Sequence, residues 1–233
     1  MKTVLVAGAG GFIGGHLVSK LVKKKYKVIC VDIKPIKKWF QVFKKTKNHS
    51  LDLNSYSNCL RITKNIDYVF NLACNMGGMG FIENNKADCM LSVLINTNLL
   101  RASKKRKIKK YLFSSSACVY NAAKQSHSNN PALKEEDAYP AQPEDGYGWE
   151  KLFGERMCRH FQEDYGLQVR IIRLHNVYGP HGTYNGGREK APAAICRKII
   201  EAKKKKKKNW SLGWWQTNKK FYVYWWLYWR NFE

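Results

Sequence analysis

Thr3-Val4-Leu5-Val6-Ala7-Gly8-Ala9-Gly10-Gly11-Phe12-Ile13-Gly14 is the stretch that sets the fold. Thr3 to Ala7 reads as a compact apolar strand. An amphipathic helix follows over about Phe12 to Lys24, with Leu17, Leu21 and Val22 on its inner face. Between them, Gly8, Gly11 and Gly14 give the spacing G-x-x-G-x-x-G. The first glycine allows a tight turn, the second lets backbone approach a pyrophosphate, and the third lets helix pack on strand. Phe12 and Ile13 open the helix against the same ligand. A second strand, Lys27 to Val31, ends in Asp32. Its carboxylate can accept from both ribose hydroxyls of adenosine and repels a 2′-phosphate, which favours NAD over NADP.

The alternation continues. His49 to Leu53 reads as a third strand with Asp52 at its end, and Leu60 to Lys64 closes a helix. Tyr68 to Asn71 is a fourth strand leading to Leu72 and Ala73. A glycine-rich loop, Asn75 to Phe81, follows, then an apolar helix from Met90 to Leu100. Strands alternating with helices imply an α/β, Rossmann-type doubly wound parallel sheet with helices on both faces. Ligands then sit at the carboxyl ends of the strands. Gly8, Asp32, Asp52, Leu53, Asn71 and Ala73 fall there and are the expected cofactor contacts, together with Phe12 and Ile13.

The chemistry gathers between Tyr111 and Lys151. Tyr111-Leu112-Phe113 is a short buried strand, followed by Ser114, Ser115, Ser116, Ala117 and Cys118. Tyr147 and Lys151 open a helix at i and i+4, on one face. An ammonium beside a phenol lowers the phenol pKa from about 10 towards neutrality, and Ser116 can orient the same hydroxyl. Such a set takes a proton from an alcohol while a nicotinamide takes the hydride. Phe153, Met157 and Phe161 extend the helix as core residues, and Val169 to Leu174 reads as a buried strand. The turn from His175 to Pro180 includes Asn176 at the ligand edge. Arg188 and Lys190 precede a helix with Pro192 near its first position, and suit a phosphate or a developing enolate. His16 and His160 lie in helix patterns as packing or surface residues, and His127 in a Ser/Asn-rich loop.

Composition narrows the setting. The 233 residues suit one to two domains. The formal charge of +25 comes from scattered lysines with no aromatic-interleaved basic motif, so nucleic acid is not expected as a partner while anionic, phosphate-bearing ligands fit. Seven cysteines without a C-x-x-C pair exclude a disulfide framework and a zinc site, and no metal is expected. No apolar run reaches the roughly 20 residues of a membrane span, and no signal peptide precedes the first strand, so a cytoplasmic protein is expected.

The glycine loop, Asp32, the Ser/Cys strand end and Tyr147-x-x-x-Lys151 resemble the extended short-chain dehydrogenase/reductase superfamily acting on nucleotide sugars. Within it, three segments resemble the GDP-mannose 3,5-epimerase family: Asn75-Met76-Gly77-Gly78-Met79-Gly80-Phe81-Ile82, Ser115-Ser116-Ala117-Cys118-Val119-Tyr120 and Gly186-Gly187-Arg188-Glu189-Lys190-Ala191-Pro192-Ala193-Ala194. The resemblance covers residues 1 to about 202 and implies a GDP-sugar substrate, NAD and a homodimer. By the same resemblance Tyr147, with Lys151 and Ser116, deprotonates the sugar C4 hydroxyl. The 4-ketone acidifies C3 and C5, where Cys118 acts as base and Lys190 as acid on the opposite face. Met76, Gly77, Gly78, Ser116, Asn176, Arg188, Lys190 and Lys198 are then the expected substrate contacts. A Cys118 thiolate needs a lowered pKa, which Lys190 or Lys151 can supply.

Ala7, Asn121 and Cys74 depart from the family's usual residues without removing a reacting group. Ala117-Cys118 stands where a 4,6-dehydratase carries Asp-Glu, and a simple 4-epimerase needs no Cys/Lys pair. A reading of another class is a catalytically dead basic nucleotide- or nucleic-acid-binding fragment. The chain divides into an NAD-binding domain with part of the substrate site over 1–202 and a Lys/Trp-rich tail over 203–233. That tail holds six of the eight tryptophans. The tail shows no helical or strand periodicity, and from about Asn209 it is expected to be a frame-shifted reading in which Lys203 to Lys208 mark the slippage. The substrate lobe is then truncated, and the chain is expected to keep its NAD site while turning over GDP-mannose poorly or not at all.

Overall fold

Six strands pair in parallel in the computed structural model, which describes residues 1–125, 132–204 and, as backbone, 221–223. The strands are β1 (Thr3–Ala7), β2 (Lys27–Asp32), β3 (Lys47–Ser50), β4 (Tyr68–Asn71), β5 (Lys110–Ser116) and β6 (Gln168–Leu174). Their order is β3-β2-β1-β4-β5-β6, the doubly wound arrangement expected from the β-α alternation. Successive residues of β1 point to opposite faces. Val4 and Val6 join a core with Leu17, Val18 and Leu21 of α1 (Phe12–Lys23). Leu5 and Ala7 join the opposite core. There they meet Cys59 and Ile62 of α2 (Tyr56–Ile62), and α3 (Met79–Asn84) and α4 (Lys86–Met90) follow in the chain. Leu99, Leu100 and Ala102 of α5 (Val93–Arg106) and Cys158 of α6 (Tyr147–Tyr165) complete this second core. Each large aliphatic side chain buried this way contributes about 1.5–3 kcal/mol.

Helix ends follow local chemistry. Three basic residues, Lys104, Lys105 and Arg106, occupy the last turn of α5, where they complement the partial negative charge of the helix dipole. Gly166 closes α6 at φ +67°, a left-handed position that suits glycine. A shorter helix, α7 (Ala191–Lys204), ends the described part of the main chain body. Among the described residues no helix is long and apolar enough to cross a membrane.

Several elements differ from the sequence reading, each for a local reason. β3 lies earlier than His49 to Leu53. Asp52 Oδ1 accepts from Asn54 N at 2.9 Å, and this turn ends the strand before Asp52. The helix expected over Met90 to Leu100 begins only at Val93 and runs on through the basic turn; Met90 ends α4, and Met90, Leu91 and Leu94 are exposed. β5 extends through Ser116, because Ser114 to Ser116 pair with Ile172 to Leu174 of β6 and lie inside the sheet. β6 is only partly buried, with Ile171 exposed, since it is the edge strand. Phe153 is half exposed rather than core. The inner stripe of α6 is Tyr147, Lys151, Leu152, Glu155 and Cys158, with Met157 and Phe161 at its margin. The turn after His175 contains a short strand, β7 (Asn176–Tyr178), paired in parallel with β8 (Phe221–Val223). Three residues of the tail thus form a strand. Lys203 and Lys204 end α7, and the rest of the tail, with His127, lies outside the described residues.

Candidate active site

The carboxyl ends of β1, β2, β4 and β5 open into one cavity of about 1410 Å³. Gly8 sits at φ +80° at the end of β1. Gly8 N and Ala9 N both donate to Val31 O, at 2.8 and 3.1 Å, which folds the loop over β2. A Cβ at Gly14 would lie 2.1 Å from Gly8 O, so only glycine permits α1 to start against this turn. Gly8, Gly11, Phe12, Ile13, Gly14, Asp32, Asp52, Leu53 and Ala73 all line the cavity, as expected of a dinucleotide cradle. Asp32 Oδ2 accepts from Gly10 N at 3.1 Å and Oδ1 from Lys34 N at 3.0 Å. These bonds fix the carboxylate and leave each oxygen a second lone pair for a ribose hydroxyl.

Asn71 does not face this cavity. Its amide donates to Asn96 Oδ1 at 3.1 Å and Tyr111 Oη at 3.0 Å, while its oxygen accepts from Ala73 N at 3.2 Å. It is a brace beneath the cavity floor, and it lies off the cavity lining where the sequence reading put a cofactor contact.

Tyr147 and Ser116 line the inner wall, and Ser116 works weakly against the upward shift of the phenol. Lys151 is buried behind Tyr147, its Nζ 5.5 Å from the Tyr147 ring centre and 4.9 Å from that of Phe113. Glu150 Oε2 lies 3.3 Å from Lys151 Nζ, with both side chains almost wholly buried. Desolvation works against the Lys151 charge, yet Cys74 and Glu150 outweigh it and hold its pKa above the usual value. The Tyr147 phenol is pushed well above its ordinary range, first by burial and then by Cys74, Cys118 and Glu150. That reverses the lowering expected from an ammonium neighbour alone.

Cys118 stands in the turn after β5, where Ser116 Oγ accepts from Cys118 N at 3.2 Å. Its side chain packs with Ile82, Cys89 and Tyr147 and does not line the main cavity. Burial, with Glu144 beside it, pushes the thiol up to about 12, while Ser116 and Lys190 pull the other way. The thiolate expected from a lysine field is therefore not the resting form.

Loop 75–78 is docked onto the segment before α7. Gly78 N donates to Arg188 O at 3.1 Å, and a Cβ at Gly78 would meet Glu189 O at 2.4 Å. Arg188 Nη1 donates to Asn75 Oδ1 at 2.8 Å and Met76 O at 3.2 Å, and its guanidinium lies 3.8 Å from the Phe81 ring centre. Met76, Arg188 and Lys190 line the cavity; Gly77, Gly78 and Asn176 do not. Lys198 is exposed and off the cavity, because α7 turns Ala193, Cys196, Arg197, Ile200, Glu201 and Lys204 inward. The four positions expected as substrate contacts, Gly77, Gly78, Asn176 and Lys198, thus lie off this cavity.

Three residues escaped the sequence reading. Cys74 lines the cavity and packs in the cluster that holds Tyr147; burial pushes its thiol pKa up, with Lys151 and Tyr147 pulling the other way. Glu150, three residues after Tyr147, shares its helix face, which the i, i+3 spacing signals once the stripe is started at Tyr147. Glu144 has no such periodic signal.

Comparison with known proteins gives consistent matches. The family described as NAD dependent epimerase/dehydratase matches residues 4–218. The chain is 45% identical over 196 residues to the GDP-mannose 3,5-epimerase of Arabidopsis thaliana, covering 84% of this chain and 52% of that protein. It spans about half the length of the curated relatives it matches. Among solved structures, UDP-N-acetylglucosamine 4-epimerase from Methanobrevibacter ruminantium M1 superposes with a TM-score of 0.79 at 27% identity, covering 96% of this chain and 69% of that one. MoeE5, solved with UDP-glucose and NAD, gives a TM-score of 0.67 at 29% identity, covering 86% of this chain and 60% of that one.

Proposed function

The chain belongs to the NAD dependent epimerase/dehydratase family, and on that premise we propose that it epimerises GDP-mannose at C3 and C5 through a transient 4-keto sugar. The observation that carries this reading is one cavity joining the glycine loop and Asp32 to Tyr147, Ser116 and Lys190, with Cys118 packed against Tyr147. The choice of GDP-mannose rests on the likeness to the Arabidopsis protein of that name.

The family's cofactor is NAD, and the cradle fits it: the glycines leave open backbone where any Cβ would clash, and Asp32 presents acceptor oxygens. Gly8, Gly11 and Gly14 would hold the pyrophosphate at the start of α1, and Asp32 the adenosine ribose. When bound, NAD supplies a hydride acceptor and a positive ring charge. Tyr147 holds the proton of the reacting hydroxyl, with Ser116 orienting the phenol and Lys151 providing a fixed positive charge behind it. Cys118 and Lys190 carry the carbon-bound protons, each transfer contributing about 10²–10⁴-fold. Arg188 secures the loop carrying Met76, which closes this side of the cavity.

The test is deuterium wash-in. GDP-mannose and NAD are incubated with the chain in deuterium oxide, and the sugar is read by mass spectrometry. Slow incorporation at C3 and C5 is expected, blocked by Cys118→Ser. With NAD bound, absence of label at both carbons, or undiminished label in Cys118→Ser, contradicts the proposal.

A further inference from the structure

Cations that lie far apart in the sequence meet at one edge of the sheet. The strands β1 to β6 all run the same way, so their amino ends share the edge opposite the cavity, and the helices that return between them end there too. Lys2 precedes β1, while Lys27, Lys47 and Lys110 open β2, β3 and β5; all of these are exposed. Register sets them side by side: Thr3 pairs with Lys27, Ile29 with Lys47 and Tyr68 with Lys110. α1 ends at exposed Lys23, and α5 at exposed Lys104, Lys105 and Arg106. At the usual interstrand spacing, the sheet from β3 across to β5 is about 19 Å wide. Acids are nearly missing here. Up to Ser116 the acidic residues are Asp32, Asp52, Asp67, Glu83 and Asp88. Asp32, Asp52 and Asp88 line the cavity, and Glu83 lies in α3, beyond the carboxyl end of β4. Asp67 alone of these stands at the amino edge, where Thr3 N and Lys109 Nζ already donate to it at 2.9 and 2.8 Å. At the margin α6 ends with Asp164 close by and with Glu163 held by Arg159 and His160. Elsewhere cations meet acids across the fold, as Lys86 does Asp145 and Arg173 does Glu155.

We propose that this edge is a second binding surface, which takes the phosphate backbone of a nucleic-acid duplex without reading its sequence. It is separate from the reaction proposed above. At about one charge per 1.7 Å of axis, a duplex laid across about 19 Å presents roughly 11 phosphates to these cations. Two tyrosines hold some of the ammonium groups on the face. Lys2 Nζ lies 5.0 Å and Lys110 Nζ 5.9 Å from the Tyr68 ring centre, and Lys104 Nζ lies 3.4 Å from that of Tyr165. Rings covered in this way do not offer stacking platforms to unpaired bases, which favours a duplex over a single strand. Of the strand starts and helix ends at this edge, only Met1 and Tyr165 expose a large apolar side chain, which gives a bilayer little to bury.

The experiment follows the anisotropy of a labelled, mixed-sequence DNA duplex of about 20 base pairs, and of one of its single strands, between about 50 and 200 mM salt. Binding to phosphatidylserine vesicles is read by sedimentation. One variant combines Lys27→Gln, Lys47→Gln and Lys110→Gln. A control of equal charge combines Lys134→Gln, Arg156→Gln and Lys198→Gln, exposed positions away from this edge. Isothermal titration with NAD establishes that both are folded with the cavity intact. The first variant should bind the duplex about tenfold more weakly or worse, with a salt slope lower by about 2–3, since each lost phosphate contact removes about 0.9. The control should stay within about threefold of wild type, and saturating NAD should leave duplex affinity unchanged. Equal losses in the two variants overturn the proposal, because net charge and not this edge would then do the binding. Displacement of the duplex by NAD overturns it as well, since the duplex would then occupy the cavity. So does failure of wild type to bind the duplex, or tighter binding to the single strand or the vesicles.

Discussion

Adding one methyl group at Gly14 tests the cofactor cradle at its tightest point. In Gly14→Ala the new Cβ would lie 2.1 Å from Gly8 O, 2.8 Å from Gly8 C and 2.9 Å from Ala9 Cα. All three neighbours are backbone, so no side chain can swing away. The loop must retreat by roughly 1 Å to restore van der Waals contact. Overpacking of that kind costs about 3 kcal/mol. Alanine in a helix regains about 1 kcal/mol relative to glycine, leaving a net loss of about 2 kcal/mol. For a domain of this size the melting temperature should fall by about 4–8 °C. Gly80→Ala is the control: it lies in α3 with nothing within 4 Å of an added Cβ, so it should be neutral or slightly stabilising. Thermal unfolding by circular dichroism reads the first effect. Isothermal titration with NAD, at a temperature where both variants are folded, reads the second, with affinity down about tenfold or more only in Gly14→Ala. Wild-type stability and NAD affinity in Gly14→Ala would show that the glycine contact sets neither.

Two further outcomes follow from the braces of the sheet. Asn71→Ala should destabilise the fold by about 2–3 kcal/mol in urea unfolding, because Tyr111 Oη, Asn96 and Ala73 N each lose a buried partner; a change under about 0.5 kcal/mol would contradict the bracing role. Asp67 accepts from Lys109 Nζ at 2.8 Å and Thr3 N at 2.9 Å, and these bonds hold its pKa below the ordinary value. Its contribution is therefore present above the unfolded carboxylate pKa of about 4 and lost as pH falls through the lower folded value. The urea midpoint of Asp67→Asn should accordingly lie below wild type at pH 6 and converge with it at low pH; a gap that is constant with pH would contradict this.

The sheet was legible where apolar runs meet a residue with one structural use. β1 stops at Gly8 and β4 at the polar Asn71, and α6 starts at Tyr147, all as read. Legibility failed where side-chain chemistry and backbone state part company. Ser114 to Ser116 give no hydrophobic signal, yet they are buried and carry β5 on past the end of β4, paired with Ile172 to Leu174 of β6. Phe153 looks like core, but the inner stripe of α6 is filled by Tyr147, Lys151 and their neighbours. In the site, spacing found the residues that share an element, such as Tyr147 with Lys151. It did not find Cys74 or Glu144, which reach the site from separate loops. The protonation of Cys118 was misjudged for the same reason. Lysines were counted from the sequence, whereas burial and a carboxylate from another segment decide the balance.

Everything proposed for the reaction depends on Tyr147 enabling oxidation of a GDP-sugar by NAD bound in the glycine-lined cavity. That step is read from the reduced-nicotinamide absorbance that appears when the NAD-loaded chain is mixed with GDP-mannose, compared with UDP-glucose and with the Tyr147→Phe variant. A signal is expected with GDP-mannose, a smaller one with UDP-glucose, and none in Tyr147→Phe despite retained NAD binding. An undiminished signal in Tyr147→Phe, or a larger one with UDP-glucose, would contradict it.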